Sequence, residues 1–430
     1  MAKKMNINRK LLNPFKGDMA IWVIFIILAI ISLISVYSSI GYTAIITHST
    51  PERAFIKHLV FVLATFVGVI ALSNMNYRRF ATLSWFGYLL SLALLVTVLI
   101  VGASDTASGS GMNRWIEIPG IRNFQFQPSE LAKIIIIVYL ARLLALEKEH
   151  LHEWETFRKV LIPIFLIAGL ILPDNLSTAL IIGIVCFAML RLTPINVTYW
   201  RRTLLVIILV GVIGIFAGAK LDFGPLARSS TWTSRIDNWL HFDNEELTQE
   251  SMARMAVASG RFFGVGIGST VQARLMTQAH NDLIYAIIIE ETGMVGGITV
   301  FLLFAIFYLR CIRIAWKCKG TFGSMTVAGL GTLIFLQAAI HMGVSVGALP
   351  VTGQTLPFVS SGGSAYLCMG LALGIIQSVA YDVNRSSGGS AKKQTAQAAA
   401  TDTVATAEEN DIAEEQQRLE RKYTETENPD

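Results

Sequence analysis

Residues 20–41, AIWVIFIILAIISLISVYSSIG, form an unbroken apolar run that contains no Asp, Glu, Lys or Arg. A helix that crosses the hydrocarbon core of a membrane needs roughly 20 mostly apolar residues, so this stretch predicts a membrane span. The run is too long for the core of a cleaved signal peptide, and further apolar runs follow it. We therefore expect the segment to be retained as the first membrane anchor.

Nine more apolar runs repeat this pattern along the chain. They cover residues 57–73, 82–103, 130–146, 159–173, 178–192, 203–219, 283–308, 324–346 and 363–382. The composition agrees, because 53% of the 430 residues are hydrophobic, only 15% are charged and the mean hydropathy is +0.54. A soluble domain carries about 25% charged residues. The sequence thus predicts an all-α polytopic membrane protein with ten transmembrane helices, and it excludes a soluble, disordered, collagen-like or disulfide-rich chain.

Charged residues in the loops set the predicted orientation. With the N-terminus in the cytoplasm, eighteen Lys and Arg residues lie in cytoplasmic segments and four lie in the short outside loops. Because cytoplasmic loops carry an excess of Lys and Arg, we expect an N-in/C-in protein. A large extracytoplasmic loop, residues 220–282, then lies between helices 7 and 8. The four cysteines fall inside spans or on the cytoplasmic side and predict neither a disulfide nor a metal site.

The chain divides into a cytoplasmic segment (1–19), a ten-helix membrane domain (20–383) and an acidic cytoplasmic tail (384–430). From Asp402 onward the tail holds ten acidic and three basic residues, a net charge of −7, so the rest of a chain whose total is +5 carries +12. That basic excess follows the positive-inside rule, and no basic block with interleaved aromatic residues indicates nucleic-acid binding. The composition of the tail predicts disorder.

His280, Asn281 and Asp282 stand where the eighth predicted span enters the membrane from outside. Two interpretations of Asp282 compete, since Asp is a favoured helix N-cap and is also a carboxylate that could do chemistry at the membrane surface. Glu290 and Glu291 follow about 12 Å along the helix, and the predicted span boundaries put them near mid-membrane. Ionisable groups there face a protein interior or a wet cavity, so we expect a structural or cavity-lining role.

A second polar motif, QPSELAK (residues 127–133), opens the fourth span on the same outer face. Pro128 suits the first turn of a helix. Glu130 and Lys133 share one helix face at i,i+3 spacing. The pattern predicts either a self-contained ion pair or a lysine held toward an anionic group.

The remaining polar motifs also lie outside. Asp174, between the fifth and sixth spans, is either a helix cap or part of the site. Ser360 and Ser361 precede a helix N-terminus, where backbone N–H and hydroxyl groups can meet an anion. The stretch GVGIGST (residues 264–270) resembles a phosphate loop but lacks the lysine of a nucleotide-binding motif, so a nucleoside triphosphate site is not expected.

Five motifs resemble, in order, those of the SEDS family of shape, elongation, division and sporulation proteins. They are RWIEIPG…FQPSELAK (Arg114–Lys133), PDNLSTA (Pro173–Ala179), FGVGIGST (Phe263–Thr270), HNDLIYAIIIEETG (His280–Gly293) and LPVTGQTLPFVSSGGSA (Leu349–Ala365). The resemblance covers roughly residues 20–382. The chain departs from the family pattern at several positions, such as His341 in place of a common Asn, but not at Asp282.

The resemblance implies a peptidoglycan glycosyltransferase of the bacterial cytoplasmic (inner) membrane. Its substrate would be lipid II, an undecaprenyl-pyrophosphoryl disaccharide-pentapeptide that stays in the membrane lipid. Its partners would be a class B penicillin-binding protein and other division proteins. The acidic tail and the TGQTLPF motif (residues 352–358) favour the FtsW type, acting at the division septum, over a RodA-type elongation polymerase.

The family's essential aspartate corresponds to Asp282, which would act as general base on the acceptor sugar in an inverting displacement. Lys133 and Arg114 would neutralise the leaving pyrophosphate, where Mg²⁺ or Mn²⁺ could also bind although the sequence requires no cofactor. The other expected roles are Glu130 orienting Lys133, Gln127 and Arg235 lining the cavity, and His280 as a second candidate base or as the orienter of Asp282.

Two functions of other classes stay open at the level of sequence. Glu290 and Glu291, followed by Gly293, would also suit a flippase or ion-coupled transporter with a broken helix. The sequence has no visible inverted repeat, and its charged motifs gather at one face, which favours an enzyme. A scaffold that recruits division proteins would instead depend on the acidic tail.

Overall fold

The computed structural model describes residues 15–46, 51–106, 115–117, 125–173, 175–205, 239, 249–272 and 282–386. These residues are almost entirely helical. The first helices are α1 (Met19–Ile46), α2 (Pro51–Ser73) and α3 (Arg78–Thr106). After a short hairpin come α4 (Pro128–Leu146), α5 (Trp154–Ile171), α6 (Leu176–Arg191) and α7 (197–205). The last four are α8 (Gln249–Gly260), α9 (Ile284–Lys317), α10 (Thr321–Ser345) and α11 (Gly363–Ser386).

Six helices in the described part of the chain are long and apolar enough to cross a membrane. They are α1, α2, α3, α9, α10 and α11. The predicted runs 130–146, 159–173 and 178–192 correspond to α4, α5 and the shorter α6. The run 203–219 lies mostly outside the described residues, as do the acidic tail and most of the large loop. The helical, polytopic architecture is therefore confirmed, whereas the count of ten spans and their orientation stay predictions.

The centre of the bundle is built from α4, α10 and α11. Helix α4 packs on α3, α5, α6 and α10, and α10 also packs on α6 and α9. Within its apolar window α11 is 83% buried, whereas α2 is only 22% buried. Because both helices are apolar, hydropathy alone cannot tell the central helix from the peripheral one, and the difference comes from packing.

A two-stranded hairpin precedes α4. Its strands, β1 (Ile116–Glu117) and β2 (Gln125–Phe126), are antiparallel, with Ile116 opposite Phe126 and Glu117 opposite Gln125. The hairpin leads directly into Gln127, the N-cap position of α4, and Pro128 follows in the first turn. Proline suits that position because its missing N–H would have no partner within the helix.

One end of the bundle is closed by Asp18, which precedes α1. Its carboxylate caps the helix by accepting the N–H groups of Ala20 (2.9 Å) and Ile21 (3.3 Å) and pairs with Arg310 of α9. The Asp18 N–H donates to the Gln377 side chain of α11 at 2.8 Å. Three helices are thus joined at the end that the charge pattern predicts to be cytoplasmic.

Helix α9 is broken near its start. Gly293 has φ 73° and ψ −171°, so the helix consists of a short first piece, residues 284–292, and a longer second piece. The backbone there is left-handed, and a Cβ at Gly293 would lie 2.2 Å from the Phe262 carbonyl oxygen. Only glycine fits this conformation and this close approach.

The loop after α8, residues 261–272, fills the break. In a regular helix the N–H groups of residues 294 and 295 would donate to the carbonyls of residues 290 and 291. Here all four groups bond to the loop instead. The bonds are Met294 N–H to Arg261 C=O (2.9 Å), Val295 N–H to Phe262 C=O (3.3 Å), Val265 N–H to Glu290 C=O (2.9 Å) and Gly266 N–H to Glu291 C=O (3.1 Å).

Candidate functional site

Asp282 lies immediately before α9, at the end of the helix far from the Asp18–Arg310 pair. The N-cap residue of the helix is Leu283. Asp282 therefore precedes the N-cap by one residue, whereas the capping interpretation placed it at the N-cap. Its side chain is half-buried. A Cβ placed on Gly353 would lie 4.0 Å from Asp282 Oδ2, and Gly353 adopts a left-handed φ of 64°. The carboxylate therefore faces the loop that carries Gly353.

That loop, residues 351–355, is hydrogen-bonded to two helices, α10 and α6. The Gln337 Nε2 group on α10 donates to the Thr355 carbonyl oxygen at 2.8 Å. The His341 Nδ1 group, one turn further on, lies 2.8 Å from the Gln354 carbonyl and donates to it. The Gln354 Nε2 group in turn donates to Thr178 Oγ1 on α6 at 3.0 Å. These contacts place the 351–355 loop between Asp282 and the interior of the bundle.

Lys133 lies in that interior. Its Nζ group donates to Glu130 Oε1 at 2.8 Å and to Gln337 Oε1 at 2.7 Å. Lys133 is 0% exposed and Glu130 is 5% exposed. In this structure Lys133 thus pairs with a carboxylate of its own helix and with the Gln337 amide, and Gln337 connects the pair through Thr355 to the loop that faces Asp282.

The motif around Ser360 forms a turn. The Ser360 Oγ atom accepts the Leu356 N–H at 2.8 Å, and the side chain is 2% exposed. Phe358, between them, has an unusual φ of 61°, and its ring packs edge-on against Phe25 of α1. Ser361 is half-buried. The structure thus gives Ser360 a part in holding this turn ahead of α11.

The start of α6 differs from the cap that the sequence suggested. Asn175 is the N-cap residue, and its side-chain oxygen accepts the Thr178 N–H at 3.1 Å. An Asn side chain serves this purpose as well as an Asp side chain. Asp174, together with Arg114, Arg235 and His280, lies outside the described residues.

Glu290 and Glu291 are 1% and 2% exposed. The Glu290 Oε1 atom accepts the N–H groups of Val271 (3.0 Å) and Gln272 (3.1 Å). The Glu291 Oε1 atom accepts the Gly268 N–H at 3.1 Å. Both carboxylates therefore bind the backbone of the 261–272 loop, the same loop that fills the break in α9.

The length of α9 differs from the expectation. Helix α9 runs 34 residues to Lys317, beyond the predicted end at residue 308. Glu291 precedes Arg310 by 19 residues, about 28 Å of helix. That distance is close to the ~30 Å thickness of the hydrocarbon core. The depth of the pair in the membrane stays a prediction.

Sequence reasoning missed Gln337 and Gln354 as parts of the site. Gln337 is 0% exposed and Gln354 is 3% exposed. A signal existed for Gln337, because a lone amide in the apolar stretch of α10 and His341 four residues later share one helix face. Buried polar side chains are almost always hydrogen-bonded, so their common face indicated a polar partner.

Comparison with known proteins identifies relatives over most of the chain. The family model of the cell cycle proteins FtsW, RodA and SpoVE matches residues 18–385. A protein of Coxiella burnetii named probable peptidoglycan glycosyltransferase FtsW is 30% identical over 340 residues, 77% of this chain and 87% of its own. The stage V sporulation protein E of Bacillus subtilis is 30% identical over 371 residues, 84% of this chain and 96% of its own.

Solved structures share the fold. The rod shape determining protein RodA of Thermus thermophilus aligns with a TM-score of 0.59 and 22% identity, over 85% of this chain and 97% of that chain. A chain described under structural coordination of polymerization and crosslinking by a peptidoglycan synthase complex aligns with a TM-score of 0.63 and 22% identity, over 85% and 98%. At this level of identity the likeness establishes the fold alone.

Proposed function

Because the chain belongs to the FtsW/RodA/SpoVE family of cell cycle proteins, we propose that it is a peptidoglycan glycosyltransferase that polymerises lipid II at the outer face of the membrane. Relatives from Coxiella burnetii and Pseudomonas fluorescens carry the name probable peptidoglycan glycosyltransferase FtsW. The observation that carries the proposal is the position of Asp282, which faces the 351–355 loop at one end of the bundle.

In the proposed reaction Asp282 is the general base. The acceptor sugar hydroxyl oxygen forms a bond to the anomeric carbon of the donor, and the bond from that carbon to the pyrophosphate oxygen breaks. The hydroxyl proton passes to the Asp282 carboxylate, and the lipid pyrophosphate leaves. A single displacement of this kind inverts the anomeric centre, and general-base assistance typically contributes about 10²–10⁴-fold in rate.

Cationic residues would neutralise the negative charge of the leaving pyrophosphate. We assign its neutralisation to Lys133 and Arg114. Lys133 is bound to Glu130 and Gln337 in this structure, so a phosphate oxygen would take the place of the neutral Gln337 amide while Glu130 keeps the ammonium oriented. Gln127, Arg235, His280 and Ser361 complete the proposed lining of the cavity.

The described residues offer no cage for a divalent metal. Within them, no three His, Cys, Asp or Glu side chains come together in a way that could hold an ion. Mg²⁺ or Mn²⁺ at the leaving pyrophosphate stays a prediction from the sequence, and every step proposed above uses the side chains of this chain alone.

The biological setting that we propose is division. Named relatives are of the FtsW type or act in sporulation, which supports septal synthesis over RodA-type elongation. One neighbouring fold is a chain of a peptidoglycan synthase complex, which supports a class B penicillin-binding protein as partner, together with other division proteins.

One observation favours the transport alternative, because α9 is broken at Gly293 and broken helices line the paths of many transporters. In this chain, however, the backbone groups that the break releases bond to the 261–272 loop. The break therefore has a structural use that requires no transport path.

A polymerisation assay tests these proposals. Purified protein, with and without a class B penicillin-binding partner, receives labelled lipid II, and the glycan strands are separated on a gel. We expect Asp282→Asn to slow strand synthesis about 10²–10⁴-fold. Glu153→Gln, the same chemical change at an exposed carboxylate, should leave the rate unchanged. Synthesis of long strands by Asp282→Asn would contradict the general-base role of Asp282. Movement of lipid II across vesicle membranes without polymerisation would favour the transport function.

A further inference from the structure

We propose that Glu290 and Glu291 form a carboxylate clamp that holds the 261–272 loop in the break of α9 and thereby positions Asp282. The clamp is a set of contacts in this structure, and its effect on catalysis rests on the function proposed above for Asp282. The two glutamates are positioning residues, since they act through the helix piece that carries the aspartate.

Helix α9 is interrupted in a way that depends on the loop. The two helical hydrogen bonds that would cross the break are absent, and the four groups concerned bond to residues 261, 262, 265 and 266 instead. The loop is therefore inserted between the two pieces of the helix and is hydrogen-bonded to both. The orientation of the first piece, residues 284–292, depends on the loop, and Asp282 stands at the start of this piece.

Three large apolar side chains of the loop lie mostly outside the bundle. Phe262 is 68% exposed, Phe263 is 85% exposed and Ile267 is 64% exposed. Burial of apolar surface is normally the main stabilising term, but these three side chains contribute little of it. The contacts of the loop with α9 are instead made by its backbone N–H and C=O groups.

Carboxylates of α9 accept further N–H groups of the loop. Glu290 accepts two loop N–H groups and Glu291 accepts one. Hydrogen bonds to an ionised acceptor are roughly twice as strong as neutral ones. Thr270, which lies between the two points of attachment, is 1% exposed. The clamp therefore holds the loop against the helix next to the two glutamates.

The fit of the loop in its seat is close. Gly264 has φ +79°, and a Cβ on it would lie 2.1 Å from the Glu291 carbonyl oxygen. A Cβ on Gly260, at the end of α8, would lie 2.1 Å from the Ile289 carbonyl oxygen. At both points the backbone of the 260–264 segment touches the backbone of α9. A loosened clamp would therefore directly change the distance between these two segments.

Loosening the clamp should act on catalysis more than on substrate binding. A base displaced by about 1 Å can lose about 10²-fold in rate, whereas the substrate contacts elsewhere are unchanged. We expect Glu290→Gln and Glu291→Gln each to lower kcat about 10-fold, and the double variant about 100-fold, with KM within about twofold of wild type. Glutamine keeps the size of the side chain and an acceptor oxygen, and it loses the charge.

The matched control is Thr292→Val. Thr292 is adjacent to the pair on the same helix, and its hydroxyl donates to the Ile288 carbonyl of its own helix. Valine has the same shape, and this variant should retain full kcat. Gly264→Ala provides a second route, because it leaves both carboxylates intact and pushes the loop from its seat, and it should lower kcat with KM unchanged.

A second readout needs no activity. Thr270→Cys places a thiol at the buried centre of the clamp, and a membrane-impermeant maleimide measures its accessibility from outside. Native Cys186, Cys311 and Cys368 are buried and Cys318 is half-buried, so the parent chain gives the background. Labelling should be slow in the wild-type background and at least about fivefold faster when Glu290→Gln is added.

The possible outcomes distinguish the clamp proposal from the proposed polymerase function. Faster labelling together with a kcat-specific loss supports the whole proposal. Full kcat in both single variants, or labelling that stays slow in the double variant, overturns it. Faster labelling in a protein whose wild type polymerises no lipid II supports the clamp and overturns the proposed function.

Discussion

Two groups of buried carboxylates solve the same physical problem in different ways. Glu130 on α4 is neutralised by Lys133 three residues further along the same helix. Glu290 and Glu291 on α9 instead accept backbone N–H groups from a loop about 20 residues earlier in the chain. A buried charge is costly unless it is paired or hydrogen-bonded, and each arrangement meets this requirement at one carboxylate oxygen, while Glu130 Oε2 and Glu290 Oε2 are buried without a hydrogen-bond partner.

The difference predicts different consequences of mutation. The Glu130–Lys133 pair is local, so breaking it leaves one unpaired charge in a helix that stays in place. The clamp joins two segments, so breaking it releases a loop and the helix piece that carries Asp282. Damage to the pair should therefore lower stability as well as strand synthesis, whereas damage to the clamp should lower mainly turnover.

The largest expected effect on stability comes from Lys133→Met. Methionine fills the space of the lysine side chain but leaves Glu130 buried without its cation. Removing one partner of a buried pair typically costs about 3–5 kcal/mol, so unfolding in detergent should occur at a much lower temperature. Strand synthesis should also be lost, because Lys133 is assigned to the leaving pyrophosphate.

The double variant Glu130→Gln/Lys133→Met is the matched control for this effect. It removes both charges, and we expect most of the lost stability to return while strand synthesis stays absent. Equal destabilisation by the single and double variants would show that packing, and not an unpaired charge, dominates at this site. The comparison with the clamp would then fail.

Gln337→Leu should have an intermediate effect. It deletes the hydrogen bonds to Lys133 and to the Thr355 carbonyl, and a buried donor or acceptor without its partner costs about 1–3 kcal/mol. Because Thr355 belongs to the loop that faces Asp282, we also expect kcat to fall about 10-fold. Thermal unfolding and the polymerisation assay measure the two effects.

Thr332→Val is the control for Gln337→Leu on the same helix. The Thr332 hydroxyl donates to the Ala328 carbonyl within α10, so its loss should change neither the 351–355 loop nor the rate. A Gln337→Leu protein with wild-type kcat would show that the loop keeps its position without the amide.

Part of this comparison was predictable from sequence. The apolar runs define the helices, and the i,i+3 spacing of Glu130 and Lys133 indicated their pairing because residues three apart on a helix are neighbours. Gly293, directly after two glutamates and a threonine, was compatible with a broken helix. Each of these features depends on residues that are close in the chain.

The remainder depends on contacts between distant segments. Lys133 and Gln337 are 204 residues apart, and Gln354 and Thr178 are 176 apart. The pattern of one helix does not reveal its partner. The predicted span also ended at residue 308, whereas α9 continues as a helix through the basic residues up to Lys317.

The smallest effect is expected at the opposite end of the bundle, where Arg310 pairs with Asp18. The Arg310 side chain is 34% exposed, and partly exposed ion pairs contribute about 1 kcal/mol or less. Asp18 also keeps its bonds to Ala20 and Gln377. Arg310→Gln should therefore lower the unfolding free energy by about that amount and leave kcat unchanged, with Lys317→Gln at the end of the same helix as control.

A loss of turnover comparable to that of Gln337→Leu would mean that this end of α9 also positions Asp282. In that case the break at Gly293 would not isolate the first piece of the helix, and the loop would not be its main support.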